Sequence, residues 1–207
     1  MMTSCTQETP VSEQEAADFR LQDLPFQKVL NVQSEDQLNS ITLTIYSDDA
    51  SVLDLYTLEA FSIEPIFEFK NNTSNQADAD PTPDKVASGP IVGIQISNEV
   101  LVQDAIGYNL AVDLPESDAR AKTWEYYYNN SDYGRVTLNS SWYNVFMSAW
   151  YRNPGSSSFT NYFSNVEIKK KGEWEDICAS GSQEIKIGVR ARNHGSHYNL
   201  QFFSSCP

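Results

Sequence analysis

Apolar side chains recur at every second residue in one short segment after another, and this alternation constrains the fold more than any other feature. It is cleanest in residues 184–192, where four apolar residues alternate with polar residues or glycine: Ile185, Ile187, Val189 and Ala191. A period of two is typical of a β-strand that buries one face. Residues 198–202 alternate in the same way after a polar stretch, so we predict an antiparallel hairpin with its turn near Gly195.

Many more short strands are predicted along the chain, and turn residues separate them. They cover residues 40–46, 61–69, 91–97, 108–113, 124–128, 135–152, 159–163, 166–170 and 173–177. Pro65 predicts an edge or a break in its strand, and residues 50–60 fit a helix or a strand equally well. Because sustained helical patterns are scarce, the sequence predicts an all-β fold: an antiparallel β-sandwich or barrel, with a jelly roll as one arrangement.

The N-terminal part of the chain differs from the rest. Residues 12–15, Ser-Glu-Gln-Glu, form a capping-box pattern that predicts a short N-terminal helix from Glu13 to about Gln22. We therefore divide the chain into an N-terminal tether with this helix, residues 1–37, and a β-sandwich domain, residues 38–207. The polar stretch 71–89 contains Pro81 and Pro83 and is either an interdomain linker or a long loop within one sandwich.

Acidic residues outnumber basic ones by 28 to 14, and the formal net charge is -14 at pH 7. This balance argues against a nucleic-acid partner and against direct binding to anionic lipid, because both need clustered Lys and Arg. The excess lies in residues 1–120, whose net charge is -16, whereas residues 121–207 carry +2. Of the 25 aromatic residues, 17 lie in residues 121–207. We expect most of the core, or of a binding face, in this second part.

The three cysteines, Cys5, Cys178 and Cys206, are an odd number, which suggests a separate role for one of them in an exported protein. Met2-Thr3-Ser4-Cys5 resembles the end of a bacterial lipoprotein signal, where small residues precede a cysteine that is then acylated. The basic and apolar parts of such a signal do not precede these residues in the sequence. The resemblance implies a lipid anchor at Cys5 and a place at the bacterial cell envelope, in the periplasm or on the outer surface. The alternative is a cytosolic chain in which Cys5 occurs by chance.

If Cys5 carries lipid, Cys178 and Cys206 remain to form a pair. In the predicted hairpin Cys206 lies opposite about Gln183, and the small loop 179–182 leaves Cys178 within bridging distance. We therefore predict a Cys178–Cys206 disulfide, which would stabilise the fold by ~3 kcal/mol.

The aromatic residues supply the candidate binding site. In a strand Trp124, Tyr126 and Tyr128 share one face, and Tyr127 takes the other. One face must line the core, so we expect a minority of rings, Tyr127 and one Trp, to be exposed for stacking against sugar rings. The predicted ligand-binding residues are Trp124, Tyr127, Trp142, Trp150, Asn130 and Asp132. The competing interpretation is that all these rings are core or cross-strand pairs.

Other chemistry has little support in the sequence. No Gly-x-Ser-x-Gly, phosphate-loop or dinucleotide motif occurs, and His194 and His197 fit a polar turn better than a zinc site. Three aspartates in the 71–89 loop are weak calcium candidates, although a solvated acidic loop is the favoured interpretation: Asp78, Asp80 and Asp84. We therefore predict no cofactor.

Three functions remain open at this level. The favoured one is a non-enzymatic binding module, anchored at the cell envelope through Cys5, with a glycan or a surface protein as its partner. The second is a glycan hydrolase that uses an Asp/Glu pair the spacing does not reveal. The third is an assembly or adhesion subunit that pairs through an exposed strand edge.

Overall fold

The computed structural model describes residues 20–69, 76–77, 89–117, 123–140, 144–191 and 196–207. Within these ranges the chain forms twelve strands: β1 (Phe26–Gln33), β2 (Ser40–Ser47), β3 (Phe61–Ile66), β4 (Ile91–Val100), β5 (Gly107–Leu114), β6 (Trp124–Asn129), β7 (Tyr133–Leu138), β8 (Val145–Arg152), β9 (Thr160–Ile168), β10 (Trp174–Cys178), β11 (Glu184–Ala191) and β12 (Ser196–Phe203). Short 3-10 helices occupy Leu21–Asp23, Ala50–Leu55 and Leu58–Ala60. None of the helices in the described ranges is long and apolar enough to cross a membrane.

The strands form two sheets, which confirms the predicted all-β sandwich. The first sheet has seven strands in the order β1-β2-β4-β6-β11-β8-β9, and the second has five in the order β10-β7-β12-β5-β3. The named strands pair in the antiparallel sense except for β4 and β6, which run parallel. A parallel pair needs a crossover connection. Here β5 of the second sheet lies between β4 and β6 in sequence.

Alternate residues of each strand face a common core between the two sheets. In β2 the buried residues are Ile41, Leu43, Ile45 and Ser47, and the residues between them are only half-buried. The two inner faces touch closely near Gly134 of β7, where an added Cβ would lie 2.5 Å from the Ile187 side chain of β11. This glycine therefore lets the two sheets approach each other.

Two neighbouring strands in the middle of the first sheet are buried on both faces. Every residue of β6 and β11 is buried, although a period-2 pattern predicts one solvated face for β11. The outward residues of β11 include the charged Glu184, Lys186 and Arg190. Aromatic side chains cover Lys186 and Arg190, and this outer layer is the first part of the candidate site described below.

The predicted hairpin between residues 184–192 and 198–202 is wrong, although both strands exist. The strand β11 pairs with β6 and β8 of the first sheet, whereas β12 pairs with β5 and β7 of the second. The chain therefore passes from one sheet to the other between them. The physical reason is that each strand has an apolar inner face, and a place in either sheet buries that face in the common core.

The disulfide predicted from that hairpin is nevertheless present. The Cα atoms of Cys178 and Cys206 are 5.5 Å apart and their sulfur atoms are bonded. Cys178 ends β10 and Cys206 follows β12, which flank β7 in the second sheet. The link therefore arises from strands that share β7 as a neighbour, and not from a β11–β12 pair.

The N-terminal part of the described chain belongs to the sandwich. The strand β1, which the sequence pattern does not predict, pairs with β2 along its whole length. The predicted division between residues 37 and 38 thus falls between two paired strands. Of the predicted helix, residues 13–19 lie outside the described ranges, and Leu21–Asp23 is a 3-10 turn.

Candidate functional site

The predicted rings Trp124 and Trp150 lie on the outer face of the first sheet, together with Tyr126 and Tyr128. We call these four residues the ring layer. Trp124 stacks on Tyr126 with 6.0 Å between ring centroids, and Tyr126 lies 5.9 Å from Trp150. The predicted common face of Trp124, Tyr126 and Tyr128 is confirmed. All four residues are buried, however, so they do not form the open platform that stacking on sugars requires.

Cationic side chains of β11 fill the spaces within the ring layer. The Nζ atom of Lys186, which is 0% exposed, lies 4.4 Å from the centre of the Trp150 ring and 5.5 Å from that of Tyr126. The guanidinium of Arg190 lies 5.3 Å from the Trp124 ring. Desolvated contacts of this kind are worth about 2 kcal/mol or more each, so they offset part of the cost of burying the charges.

The expectation that Tyr127 is exposed is wrong, because its face of β6 lines the core. Tyr127 is 0% exposed, and its hydroxyl lies 2.8 Å from that of Tyr198 on the opposite sheet. Tyr198 also donates a hydrogen bond to the buried carboxylate of Glu125, which accepts a second one from Tyr56 at 3.0 Å. This network joins the two sheets.

The other predicted site residues do not converge on the ring layer. Asn130 is exposed beside a small cavity of about 120 Å³. The carboxylate of Asp132 accepts a hydrogen bond from the Gly181 amide at 3.2 Å, so it holds a loop. Five predicted residues lie outside the described ranges: Cys5, Asp78, Asp80, Asp84 and Trp142.

A groove of about 630 Å³ crosses the outer face of the second sheet. Its floor comes from β7, β10 and β12, and the segment at the end of β3 forms one wall. It is lined by Pro65, Ile66, Phe67, Glu68, Arg135, Thr137, Gly172, Trp174, Gln201 and Phe203. Most ligand sites of small molecules have volumes of 300–1,000 Å³ and combine apolar walls with a few polar groups, which is the composition of this groove.

Arg135 is held rigidly in the floor of this groove. Its guanidinium lies 4.0 Å from the centre of the Trp174 ring and 5.0 Å from that of Phe69. It also forms an ion pair with Asp176 at 3.3 Å. Tyr133 donates a hydrogen bond to the same carboxylate, and burial followed by this contact raises the pKa of Tyr133. The floor is therefore preorganised by cation–π contacts.

The exposed ring of the groove belongs to Phe67, which is 57% exposed at the wall. Thr137 and Gln201 are half-buried in the floor and carry groups that can donate or accept hydrogen bonds, and Glu68 adds an acceptor at the rim. A flat apolar ring beside such groups suits a sugar, whose ring faces are apolar and whose edges carry hydroxyls. Of the described lining residues, Glu68 alone has a carboxylate, whereas glycoside hydrolysis uses two.

The sequence does not reveal this groove, because its residues come from four strands that are far apart along the chain. Trp174 and Phe67 lie in predicted strands, but no local density of aromatic residues marks either of them. The signal that marked residues 124–128 instead identified a buried layer.

Metal binding finds no support in the part of the chain that the structure describes. No group of three or more His, Cys, Asp or Glu residues there is placed to hold an ion. His197 lies in β12 and contacts Asp113 at 2.6 Å, while His194 is outside the described ranges.

Comparison with models of known protein families finds no match, and comparison with curated proteins finds none either.

Proposed function

We propose that this protein is a non-enzymatic module that binds a glycan in the groove of the second sheet. The single observation that carries the proposal is the exposed Phe67 ring at the wall of a groove whose floor offers Thr137 and Gln201 for hydrogen bonds. One face of Trp174 is covered by Arg135, so Phe67 is the ring on which a sugar stacks. The ring layer of the first sheet has a structural role in this proposal.

Three of the four edge strands, β3, β9 and β10, carry features that oppose assembly by strand addition. The edge strand β3 contains Pro65, which has no amide hydrogen to pair with another strand. The edge strand β9 shifts register twice against β8, and such bulges disrupt a regular edge. On β10, Gln76 already forms a bridge with Trp174.

We further propose that Cys5 carries a lipid that anchors the module at a bacterial cell envelope. Support comes from the resemblance of residues 2–5 to a lipoprotein signal, and from the disulfide, since such bonds persist mainly in oxidising compartments. Incorporation of a labelled fatty acid into the wild-type protein and not into Cys5→Ser is the expected result. Equal labelling of both, or of neither, would reject the anchor.

The binding proposal is tested on a glycan array with Phe67→Ala. This change removes the stacking surface without touching the core, because the Phe67 side chain is exposed. Tyr162→Ala is the matched control, since Tyr162 is a 46% exposed aromatic residue on β9, away from the groove. We expect wild type and Tyr162→Ala to bind the same glycans and Phe67→Ala to lose them. Binding by Phe67→Ala at the wild-type level would reject the groove, and no binding by the wild type would reject the function.

A further inference from the structure

A second, more polar pocket lies on the opposite side of the molecule, at one end of the ring layer. It has a volume of about 510 Å³, and its walls include Gln95, Tyr128, Arg152, Phe159 and Glu184. These residues come from the neighbouring strands β4, β6, β11 and β8 and from the segment before β9. The pocket is therefore built on rigid strands of the first sheet and shares no residue with the groove of the second sheet.

Two hydrogen-bonding groups in the wall of this pocket are buried, and no described residue pairs with either of them. One is the hydroxyl of Tyr128, whose side chain belongs to the ring layer and is 4% exposed as a residue. The other is the Nε atom of Arg152. A buried polar group that lacks a partner costs about 1–3 kcal/mol, so such groups are rare in native structures and need a reason.

The two charged side chains of the inner wall, Arg152 and Glu184, balance each other, and Arg20, the third charged residue of the lining, is exposed to solvent. Glu184 is buried and forms an ion pair with the Nη2 atom of Arg152 at 2.6 Å. Gln95 also reaches this carboxylate. Burial raises the pKa of Glu184, and the charge of Arg152 opposes that rise. At this inner ion pair a further anion would face Glu184 and a further cation would face Arg152, so a neutral ligand fits there.

We infer that this pocket is a binding site for a neutral polyhydroxylated molecule such as a monosaccharide unit. One hydroxyl oxygen of the ligand accepts hydrogen bonds from Tyr128 Oη and Arg152 Nε, and an adjacent hydroxyl donates to Glu184. The half-buried Phe159 ring supplies an apolar wall. It packs edge-on against Tyr128, at 5.8 Å between centroids, and its centre lies 5.1 Å from the guanidinium of Arg152 and 4.8 Å from Lys186 Nζ.

The N-terminal turn Leu21–Asp23 forms the cover of this site. Leu21 packs against the ring layer and also lines the pocket, yet no residue of this turn is buried. The turn is therefore held by little apolar area. Because the Tyr128 hydroxyl is shielded from solvent, we expect this turn to move aside when a ligand binds.

The test is titration of the full chain with glucose, galactose, mannose and N-acetylglucosamine, followed by calorimetry or ligand-observed NMR. Tyr128→Phe removes the unpaired hydroxyl and little else, and Tyr162→Phe removes an exposed hydroxyl elsewhere as a matched control. We expect at least one neutral sugar to bind wild type and Tyr162→Phe equally, and to bind Tyr128→Phe about tenfold more weakly, the effect of one hydrogen bond. Because no protein partner is lost, the urea midpoint of Tyr128→Phe should equal or exceed that of the wild type.

Each other outcome overturns the inference. Equal affinity of Tyr128→Phe and wild type would place the sugar elsewhere, and a preference for glucuronic acid over glucose would contradict the charge balance. If none of the four sugars binds, the inferred sugar site is rejected. A lowered urea midpoint for Tyr128→Phe would mean that the hydroxyl has a structural role. Phe67→Ala separates this site from the glycan groove, since it should leave this binding unchanged.

Discussion

Removal of the Cys178–Cys206 disulfide is expected to destabilise the protein mainly by freeing the unfolded chain. The two cysteines are 28 residues apart in sequence. Closing a loop of this length lowers the entropy of the unfolded chain by about 12 cal/mol/K, or about 3.6 kcal/mol of free energy at room temperature. With an m-value of about 2.5 kcal/mol/M, the urea midpoint should fall by about 1.4 M. The m-value of the transition also depends on the compactness of the unfolded chain, which reduction lowers.

The assay is urea unfolding with and without reductant, in a Cys5→Ser background so that only the pair responds. The double variant Cys178→Ala/Cys206→Ala is the control. Reductant should lower the urea midpoint of the Cys5→Ser protein to that of the double variant, and it should leave the midpoint of the double variant unchanged. If the bond is verified by mass spectrometry and reductant still does not move the midpoint, the loop-entropy reasoning is refuted. An equal shift in the double variant would instead assign the effect to the reductant.

Two further predictions concern the second sheet. Gly107→Ala would place a Cβ 2.2 Å from the backbone oxygen of Phe202 and force β5 from β12, so we expect a loss of about 3 kcal/mol in urea unfolding. Gly155→Ala meets no atom but has a φ of 78°, so it should lose only about 1–2 kcal/mol, and equal losses would contradict the steric explanation. Burial raises the pKa of Glu175 above its usual 4.5, so the folded protein keeps that proton to higher pH than the unfolded chain does. The free energy of unfolding should therefore fall as pH rises from 4.5 through the raised pKa. Glu175→Gln should lack this contribution to the pH dependence, and parallel pH profiles of the variant and the wild type would exclude a contribution from Glu175.

The positions of most strands follow from the alternation of apolar residues, but their partners do not. Alternation tells which side chains face the core, and in a sandwich an inward apolar face fits either sheet. This is why the alternation correctly predicts β11 and β12 as strands, whereas their predicted pairing is wrong. The strand β1 has a weaker pattern, since Phe26 and Val29 are exposed and only Leu30 and Val32 are buried. Its place in the sheet comes from pairing with β2, which no local pattern reveals.

The candidate site is harder to predict, because tertiary contacts decide whether a charged or aromatic side chain is buried or exposed. Lys186 and Arg190 alternate with apolar residues, and a period-2 pattern assigns such positions to solvent. In the structure they are buried under Trp150 and Trp124, since the ring faces replace part of the lost hydration. The cluster of aromatic residues at 124–128 therefore belongs to a layer that packs against buried cationic side chains. The exposed ring of Phe67 lies in a part of the sequence that has no such cluster.

These contacts also explain why the charge of residues 121–207 is a poor guide to what the protein binds. Four of their nine basic residues lie against aromatic rings: Arg135, Arg152, Lys186 and Arg190. Three of these four are more than nine-tenths buried, and the fourth is paired with Glu184. Carboxylates compensate two of these charges directly, since Asp176 pairs with Arg135 and Glu184 with Arg152. Binding in the groove should rest on ring stacking and hydrogen bonds, which salt screens little. Glycan affinity measured at low and at high salt should therefore agree, and a collapse at high salt would mean that surface charge carries the recognition.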